Sequence, residues 1–463
     1  MSKLIDSYHK RIKPAWATFL LWLAKRSPPQ LIALSFATAI LIGTVLLALP
    51  ISHTAGSLGL LNALFTATSA ICVTGLAVAN TSTDLTLFGK VILLLLIQAG
   101  GFGFITAGTL AVMASGRRIS FRERMNLQAQ MNVQSVGGVV DLVRKIALLV
   151  ASVELIGALL LFVRFRELHG NATGAFYALF HSISAFNNAG FAFYSDSLMG
   201  FVGDPLVNVT ILLLVLLGGL GFIVIIDILS RTRSRSRHPL SLHSKMVLSS
   251  SAFLIVFGVL VVLLFEWTNP ATMGSLSLSE KLWAGLFQGI TPRTAGFNTL
   301  DYGNMRGGTL MVTFLLMFIG GNPGSTAGGI KTVTFFVLIA SALSTSRGQS
   351  ELYLFKRMVN KDVIMKAGVI ALFATMVIGA AMTLLLLSEP HIDRFALLFE
   401  TISAIGTVGL SMGVTSQLSA MGKIIIILLM YLGRLGALTF ALALMQRPVE
   451  THIKFPAEDI LIG

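Results

Sequence analysis

One phrase occurs four times in this chain, and whatever fold it adopts must give all four copies equivalent surroundings. The copies run Leu64-Phe65-Thr66-Ala67-Thr68-Ser69-Ala70 into Val73-Thr74-Gly75-Leu76, then Leu179-Phe180-His181-Ser182-Ile183-Ser184-Ala185 into Asn188-Ala189-Gly190-Phe191. Leu286-Phe287-Gln288-Gly289-Ile290 into Thr294-Ala295-Gly296-Phe297 is the third, and Leu398-Phe399-Glu400-Thr401-Ile402-Ser403-Ala404 into Thr407-Val408-Gly409-Leu410 the fourth. Around each copy the order is the same: an apolar span, a short segment opening at Leu-Phe, a small-residue turn closing on Gly-Leu or Gly-Phe, and a second apolar span.

The surroundings are apolar. The chain is 55% hydrophobic and 12% charged, with mean hydropathy +0.83, against about 25% charged in soluble domains. Residues 31–49, 91–113, 146–163, 206–228, 247–265, 310–319 and 424–432 form apolar runs, several long enough to cross a ~30 Å hydrocarbon core as helices. The Leu-Phe segments, about a dozen residues each, are too short to cross. They read as re-entrant helices that dip in and return as irregular chain, which a bilayer tolerates only where protein or a water-filled cavity lines it. Four such loops must meet at a shared axis.

The net charge of +14 raises nucleic acid as a partner, but its distribution excludes one. Basic residues cluster at alternating gaps: Lys3, Lys10, Arg11, Lys13, Lys25 and Arg26; then Arg117, Arg118, Arg122, Arg124, Arg144 and Lys145; then Arg231, Arg233, Arg235, Arg237 and Lys245; then Lys331, Arg347, Lys356, Arg357, Lys361 and Lys366. The intervening gaps hold most of Asp84, Asp196, Asp204, Glu266, Glu280, Asp301, Glu389 and Asp393. This positive-inside pattern puts both termini in the cytoplasm, with Arg164 and Arg166 as local exceptions. A single cysteine, Cys72, excludes an intrachain disulfide. Residues 15–24 read as an interfacial helix, since Lys25, Arg26, Pro28 and Pro29 stand where a signal cleavage site would be.

The expected organisation is a cytoplasmic and interfacial segment at 1–30, repeat 1 at 31–116, a cytoplasmic loop at 117–142 and repeat 2 at 143–230. A basic cytoplasmic loop at 231–244, repeat 3 at 245–343, a cytoplasmic loop at 344–364, repeat 4 at 365–446 and a cytoplasmic tail at 447–463 follow. The fold class is an all-α integral membrane protein whose four tandem span, pore-loop, span repeats stand pseudo-four-fold around one central ion pore.

A permeating cation loses its water, and backbone carbonyls replace that shell if the chain exposes them in a closely spaced run. Glycine permits the backbone angles this needs, and the C-terminal end of a re-entrant helix favours a cation. The strips Val73-Thr74-Gly75, Asn188-Ala189-Gly190, Thr294-Ala295-Gly296 and Thr407-Val408-Gly409 are therefore the candidate ion-binding residues, holding potassium at their carbonyls. The fourth reads as the Thr-Val-Gly core of a potassium-channel filter. Second-span glycines, in Gln98-Ala99-Gly100-Gly101, Leu217-Gly218-Gly219, Ile319-Gly320-Gly321 and Leu432-Gly433-Arg434, read as close helix packing.

Repeated span, pore loop, glycine and span over residues 30–445 resembles the membrane subunit of the Ktr potassium uptake systems in the Trk/Ktr/HKT superfamily. In that family filter glycines favour potassium, and serine at the first accompanies sodium permeation in some plant members. Glycine at all four positions implies potassium-selective uptake across a bacterial cytoplasmic membrane. The resemblance further implies a homodimer in lipid, a ring of cytosolic nucleotide-binding regulatory subunits that carry any ATP or ADP, no cofactor in this chain, and Na+ as a candidate activator. The basic loops and C-terminal tail would be the contact surface.

Within repeat 3, Gly320-Gly321-Asn322-Pro323-Gly324-Ser325-Thr326-Ala327-Gly328-Gly329 cannot hold a helix. An ordinary solvent turn is the plain reading; the short apolar runs on either side favour a loop at membrane depth, which the resemblance makes the family's gating loop. Arg434, costly inside an apolar span, needs a polar partner. Loop carbonyls are expected, with a structural inter-helix bond as the alternative; the resemblance puts such an arginine beside the gate. His181, Gln288 and Glu400 occupy one position of the pore helices and read as polar braces. Glu154 and Asp227 read as ion or proton ligands or as helix-helix pairs, and residues 230–237 as a solvated loop against anionic lipid or a partner.

A nonselective cation channel is the same-class rival, and a broken-helix secondary transporter of a small solute the rival of another class. No metalloprotease, nucleophile-elbow or phosphate-loop motif argues for an enzyme.

Overall fold

Chain that enters a bilayer must satisfy its backbone within itself, and this sequence does so as helices. The computed structural model describes residues 26–54, 58–103, 138–233, 239–349 and 351–436, with positions 106, 124, 125, 127 and 128. The expected interfacial helix at 15–24, most of the loop at 117–142 and the tail at 447–463 lie outside the described residues.

Repeat 1 contains α1 (Pro28–Ala48), α2 (Leu60–Ile71) and α3 (Leu87–Phe102); repeat 2 contains α4 (Val139–His169), α5 (Asn171–Phe186), α6 (Pro205–Leu220) and α7 (Phe222–Arg233). Repeat 3 is α8 (Leu242–Glu266), α9 (Leu278–Ile290), α10 (Gly307–Phe318) and α11 (Thr332–Ser346), and repeat 4 is α12 (Lys361–Ser388), α13 (Arg394–Gly406) and α14 (Ala420–Leu435). Among the described residues, the first helix of every repeat is long and apolar enough to cross a membrane. A short antiparallel hairpin, β1 (Leu352–Leu354) and β2 (Arg357–Val359), departs from the all-helical expectation.

Second spans start at side-chain caps. Thr86 accepts from the Gly89 N–H, Asp204 from Val207 with Pro205 opening α6, and Ser419 from Gly422, each satisfying an orphan donor of a helix start. Buried Glu266 supports the remaining start, accepting from the Arg306 N–H at 2.9 Å, and buried Glu389 reinforces the last, accepting from the Ser419 N–H at 3.1 Å. Arg164, one of the two exceptions to the charge pattern, pairs with Asp204 at 2.7 Å and Glu167 at 2.9 Å.

The run 206–228, expected as one span, is broken: α6 and α7 meet at 96°. Gly221 has φ +96°, and a side chain there would sit 2.6 Å from the Pro323 carbonyl. The Phe222 N–H, first of α7, donates to the Gly324 carbonyl at 2.9 Å. A helix that stops to accommodate another segment needs a left-handed residue, which glycine supplies.

Association in lipid rests on van der Waals fit rather than on a hydrophobic drive between helices. One buried cluster joins Phe65 and Leu93 of repeat 1 to Leu397 and Ile426 of repeat 4 and to Phe191 of repeat 2. A second joins Phe186 and Val207 to Phe287 and Phe297 of repeat 3, and a third joins Phe314 to Phe399 and Leu410 of repeat 4. Second-span glycines of repeats 1, 2 and 4 make the fit possible, as expected of them, whereas Gly320 and Gly321 lie past the end of α10 and meet Gly328 and Ala327 of their own loop instead of a helix. A Cβ on Gly100, Gly218 or Gly433 would overlap the carbonyl oxygen of Ile71, Phe186 or Ile405 respectively. Each carbonyl belongs to the residue four before the turn glycine of the same repeat.

Candidate functional site

The short helices α2, α5, α9 and α13 lead directly into the four strips, and there the chain changes hand. Val73, Asn188, Thr294 and Thr407 have φ of 56°, 57°, 75° and 48°. Two residues on, Gly75, Gly190, Gly296 and Gly409 have φ of 95°, 70°, 78° and 90°. Left-handed backbone at a β-branched residue is an outlier that persists only where the surroundings over-determine it. Here it recurs at one position of every copy.

The strips abut in cyclic order. A Cβ on Gly75 would lie 2.5 Å from the Ala189 carbonyl oxygen, one on Gly190 2.8 Å from Gly296 Cα, and one on Gly296 2.6 Å from the Val408 carbonyl oxygen. One on Gly409 would overlap the Thr74 carbonyl oxygen. Side chains are thus excluded twice, by φ and by the neighbouring strip.

A hydroxyl four residues after each Leu-Phe phenylalanine clasps the turn, a part the sequence reading did not assign. Ser69 and Ser403 accept from the N–H of Gly75 and Gly409, each at 3.1 Å. Ser184 donates to the Phe191 carbonyl at 2.8 Å, and Thr291 donates to the Phe297 carbonyl. Repeat 3 is one residue shorter between its phenylalanine and its glycine, so Ala295 N–H bonds to Thr291 one residue closer than Thr74 does to Ser69. The recurrence of Ser, Ser, Thr, Ser was the available signal.

His181, Gln288 and Glu400 brace their helices against the chain leaving the strips. His181 Nδ1 donates to the Tyr177 carbonyl at 2.7 Å while Nε2 accepts from the Phe193 N–H at 3.3 Å. Gln288 bonds the Tyr302 hydroxyl at 2.7 Å. Glu400 accepts from the hydroxyls of Ser411 and Thr415, both at 2.5 Å.

Beyond the glycines lies a cavity of about 550 Å³ lined by all four of them and by loops carrying Asp84, Asp196 and Asp301. Within the strips, Asn188 Oδ1 and the hydroxyls of Thr294 and Thr407, at equivalent first positions, have no hydrogen-bond partner among the described residues, nor has the Thr74 hydroxyl.

The loop 320–329 separates α10 from α11, as expected, and lies directly against the strips. A Cβ on Gly328 would overlap the Thr407 hydroxyl, and one on Gly329 would sit 3.1 Å from the Gly406 carbonyl. Asn188 Nδ2 donates to the Thr326 hydroxyl at 2.9 Å, and Asn322 Nδ2 to the Gly219 carbonyl at 2.9 Å. Arg434, in the last turn of α14, donates to the carbonyls of Thr326 and Gly100. Thr326 is a loop residue, so the expected carbonyl partnership is present and extends to repeat 1. A second cavity, of about 230 Å³, is lined by the loop, Lys331 and Arg434.

Lys331 is a correction. Expected with the cytoplasmic basic cluster, it is half-buried beside the loop and donates to the Ala327 carbonyl at 2.6 Å. Loop carbonyls hold it because no helix consumes them. Arg293, not singled out from sequence, is buried behind the third strip with Ser251 at 3.3 Å and Thr332 at 3.2 Å. A charge inside an apolar repeat was the signal for both. Glu154 accepts from Gln98 and Asn187, each at 3.1 Å, joining α3, α4 and the end of α5 just before the second strip. Asp227 ties α7 to the start of α8 through Ser241 at 3.0 Å and Ser244 at 2.5 Å. Both carboxylates therefore make inter-helix pairs.

The chain is a helical membrane protein whose short helices bring four glycine strips together, and its relatives place it among transport proteins and not enzymes. A family model described as TrkH, cation transport protein, matches residues 20–452, and the chain belongs to that family. It is 44% identical over 437 residues to the Ktr system potassium uptake protein B of Bacillus subtilis (strain 168), covering 94% of this chain and 97% of that one. Identity is 42% to the Vibrio alginolyticus protein of the same description, over 95% and 96% of the two chains. The potassium/sodium uptake protein NtpJ of Enterococcus hirae is 37% identical over 94% and 97%. The crystal structure of the potassium transporter TrkH from Vibrio parahaemolyticus superposes with TM-score 0.67 at 18% identity, covering 89% of this chain and 84% of that one, and shows the shared fold.

Proposed function

We propose that this chain takes up potassium across the cytoplasmic membrane of a bacterium, through a filter made of one strip from each of four repeats standing pseudo-four-fold around a central pore. The observation that carries the reading is the cyclic abutment of four strips with the same left-handed first and third residues. Alternating backbone hand turns successive peptide units to one side, so each strip offers carbonyls to a dehydrated cation. The unpartnered oxygens of Asn188, Thr294 and Thr407 form one more layer beneath. The acidic outer cavity concentrates cations ahead of the glycines.

The loop 320–329 is the gate in this reading, and Arg434, with a fixed positive charge, holds it under the filter and opposes cation passage. The basic clusters face the cytoplasm, as do both termini. A second copy of the chain and a cytosolic nucleotide-binding subunit complete the assembly, with nucleotide confined to that partner and Na+ acting as an activator. The relatives described as parts of Ktr systems support such a partner. A second reading, in which sodium also passes, draws on the relative described as a potassium/sodium uptake protein.

Potassium-limited growth and rubidium uptake in bacteria lacking their own potassium uptake decide between these, with and without the regulatory subunit. Rescue with rubidium uptake that sodium does not compete away supports the first reading; equal sodium uptake supports the second. No monovalent cation uptake under either condition refutes both.

A further inference from the structure

The hairpin between α11 and α12 has no part in the pore. Leu352, Leu354 and Val359 turn inward, while Tyr353, Arg357 and Met358 are exposed. Leu352 is buried in a cluster with Met246, Val337 and Ala367, and Leu354 and Val359 pack on it. Val337 lies well inside α11, whose last residue is Ser346, while Met246 and Ala367 belong to the opening turns of α8 and α12. The hairpin is therefore folded back along the bundle, level with the ends of membrane helices, and does not project from it.

Its outward face is apolar and aromatic. Tyr353 and Met358 are directly opposed across the strands, each 60% exposed, and Phe355 at the tip is 51% exposed. The two turn residues, Phe355 and Lys356, have φ of 48° and 63°. A two-residue turn of this hand favours Asn-Gly, and a bulky aromatic there is an outlier. Turn chemistry does not explain Phe355; an outward anchor does. Around the hairpin, residues 347–366 carry Arg347, Lys356, Arg357, Lys361 and Lys366 against Glu351 and Asp362.

We propose that this hairpin is a lipid-binding surface: Tyr353, Phe355 and Met358 seat in the interfacial zone of the cytoplasmic leaflet, and Lys356 and Arg357 bind anionic headgroups. Aromatic residues with basic neighbours at the end of a membrane helix suit that zone. Charge complementarity and the folded-back position select a bilayer over a soluble protein as the occupant.

The test is spin-label accessibility in the full chain reconstituted into vesicles. Met358→Cys carries the label, the native Cys72 thiol being fully buried, and Arg347→Cys serves as the aqueous reference. In phosphatidylcholine vesicles containing phosphatidylglycerol, the label at 358 is relaxed by oxygen in preference to a water-soluble nickel chelate, several-fold more so than at 347. The preference weakens in pure phosphatidylcholine or with Lys356→Gln and Arg357→Gln combined. Equal nickel access at 358 and 347 in both lipids overturns the proposal. So does protection that arises only when a soluble regulatory subunit is added, which makes the face a protein-docking surface instead.

Discussion

Asn188, the first residue of the second strip, donates its side-chain amide to the hydroxyl of Thr326 in the repeat 3 loop at 2.9 Å. The Thr326 carbonyl in turn accepts from Arg434 of repeat 4. One threonine thus links the proposed filter to the proposed gate and to the cation that holds it. Thr326→Val keeps the volume and removes the hydroxyl. That hydroxyl also donates to the Phe186 carbonyl at 3.2 Å; two hydrogen bonds at about 0.5–1.5 kcal/mol net each shift a closed-open equilibrium by roughly fivefold to a hundredfold. Basal rubidium flux in proteoliposomes is expected to rise within that range, and unchanged flux counts against the linkage.

Arg434→Ala removes both carbonyl contacts and the charge, and raises flux by about tenfold or more, since charged hydrogen bonds exceed neutral ones. Arg434→Lys retains charge but not the fork that reaches Thr326 and Gly100 together. It is expected to fall between parent and alanine variant in the same flux assay. Equal flux in all three proteins removes Arg434 from the gate.

Serine at Gly75 or Gly409 faces a left-handed backbone and a carbonyl oxygen of the adjoining strip. The backbone cost alone is about 1–2 kcal/mol, and relief requires the strips to separate. The expected outcome is lower potassium-over-sodium preference in competitive uptake, with protein still in the membrane. Retained preference in both variants contradicts a carbonyl filter at these positions.

Gly218→Val and Gly433→Val drive a side chain into the carbonyl of Phe186 or Ile405. Overpacking of this kind costs about 1–3 kcal/mol or more, so detergent-solubilised protein is expected to melt several degrees lower by fluorescence-detected size exclusion. Gly379→Val, also inside a helix and with nothing within 4 Å of an added Cβ, is the comparison. It controls for valine replacing a helical glycine where there is room for it.

Glu154→Leu leaves the amides of Gln98 and Asn187 without their carboxylate. An unpaired buried donor costs about 1–3 kcal/mol, and Asn187 adjoins the second strip. Lower thermal stability is expected together with a weaker ion preference; stability loss with preference intact confines Glu154 to helix pairing.

Four copies of one phrase made the repeats, the short helices and the strips legible before any coordinate, because each copy repeats the same local chemistry. The loop 320–329 was legible too, since no helix accommodates its glycines and proline. What escaped depends on neighbours distant in the chain. The apolar run through Gly221 looks continuous, and it breaks only because α7 starts on the Gly324 carbonyl. Lys331 resembled a surface charge until the loop carbonyl it serves was in view. Ser69, Ser184, Thr291 and Ser403 stand at one position of each copy, but what their hydroxyls bond shows only where the chain turns back over them. The hairpin, three residues to a strand, is too short for periodicity to announce.

The central claim is that the four strips select potassium, and bi-ionic flux through the purified chain in proteoliposomes tests it most directly, with Arg434→Ala included to hold the gate open. The account predicts that potassium and rubidium dissipate an imposed potential and sodium does so far less, a difference that Gly409→Ser erodes. Equal potassium and sodium fluxes in parent and Gly409→Ser alike would contradict it.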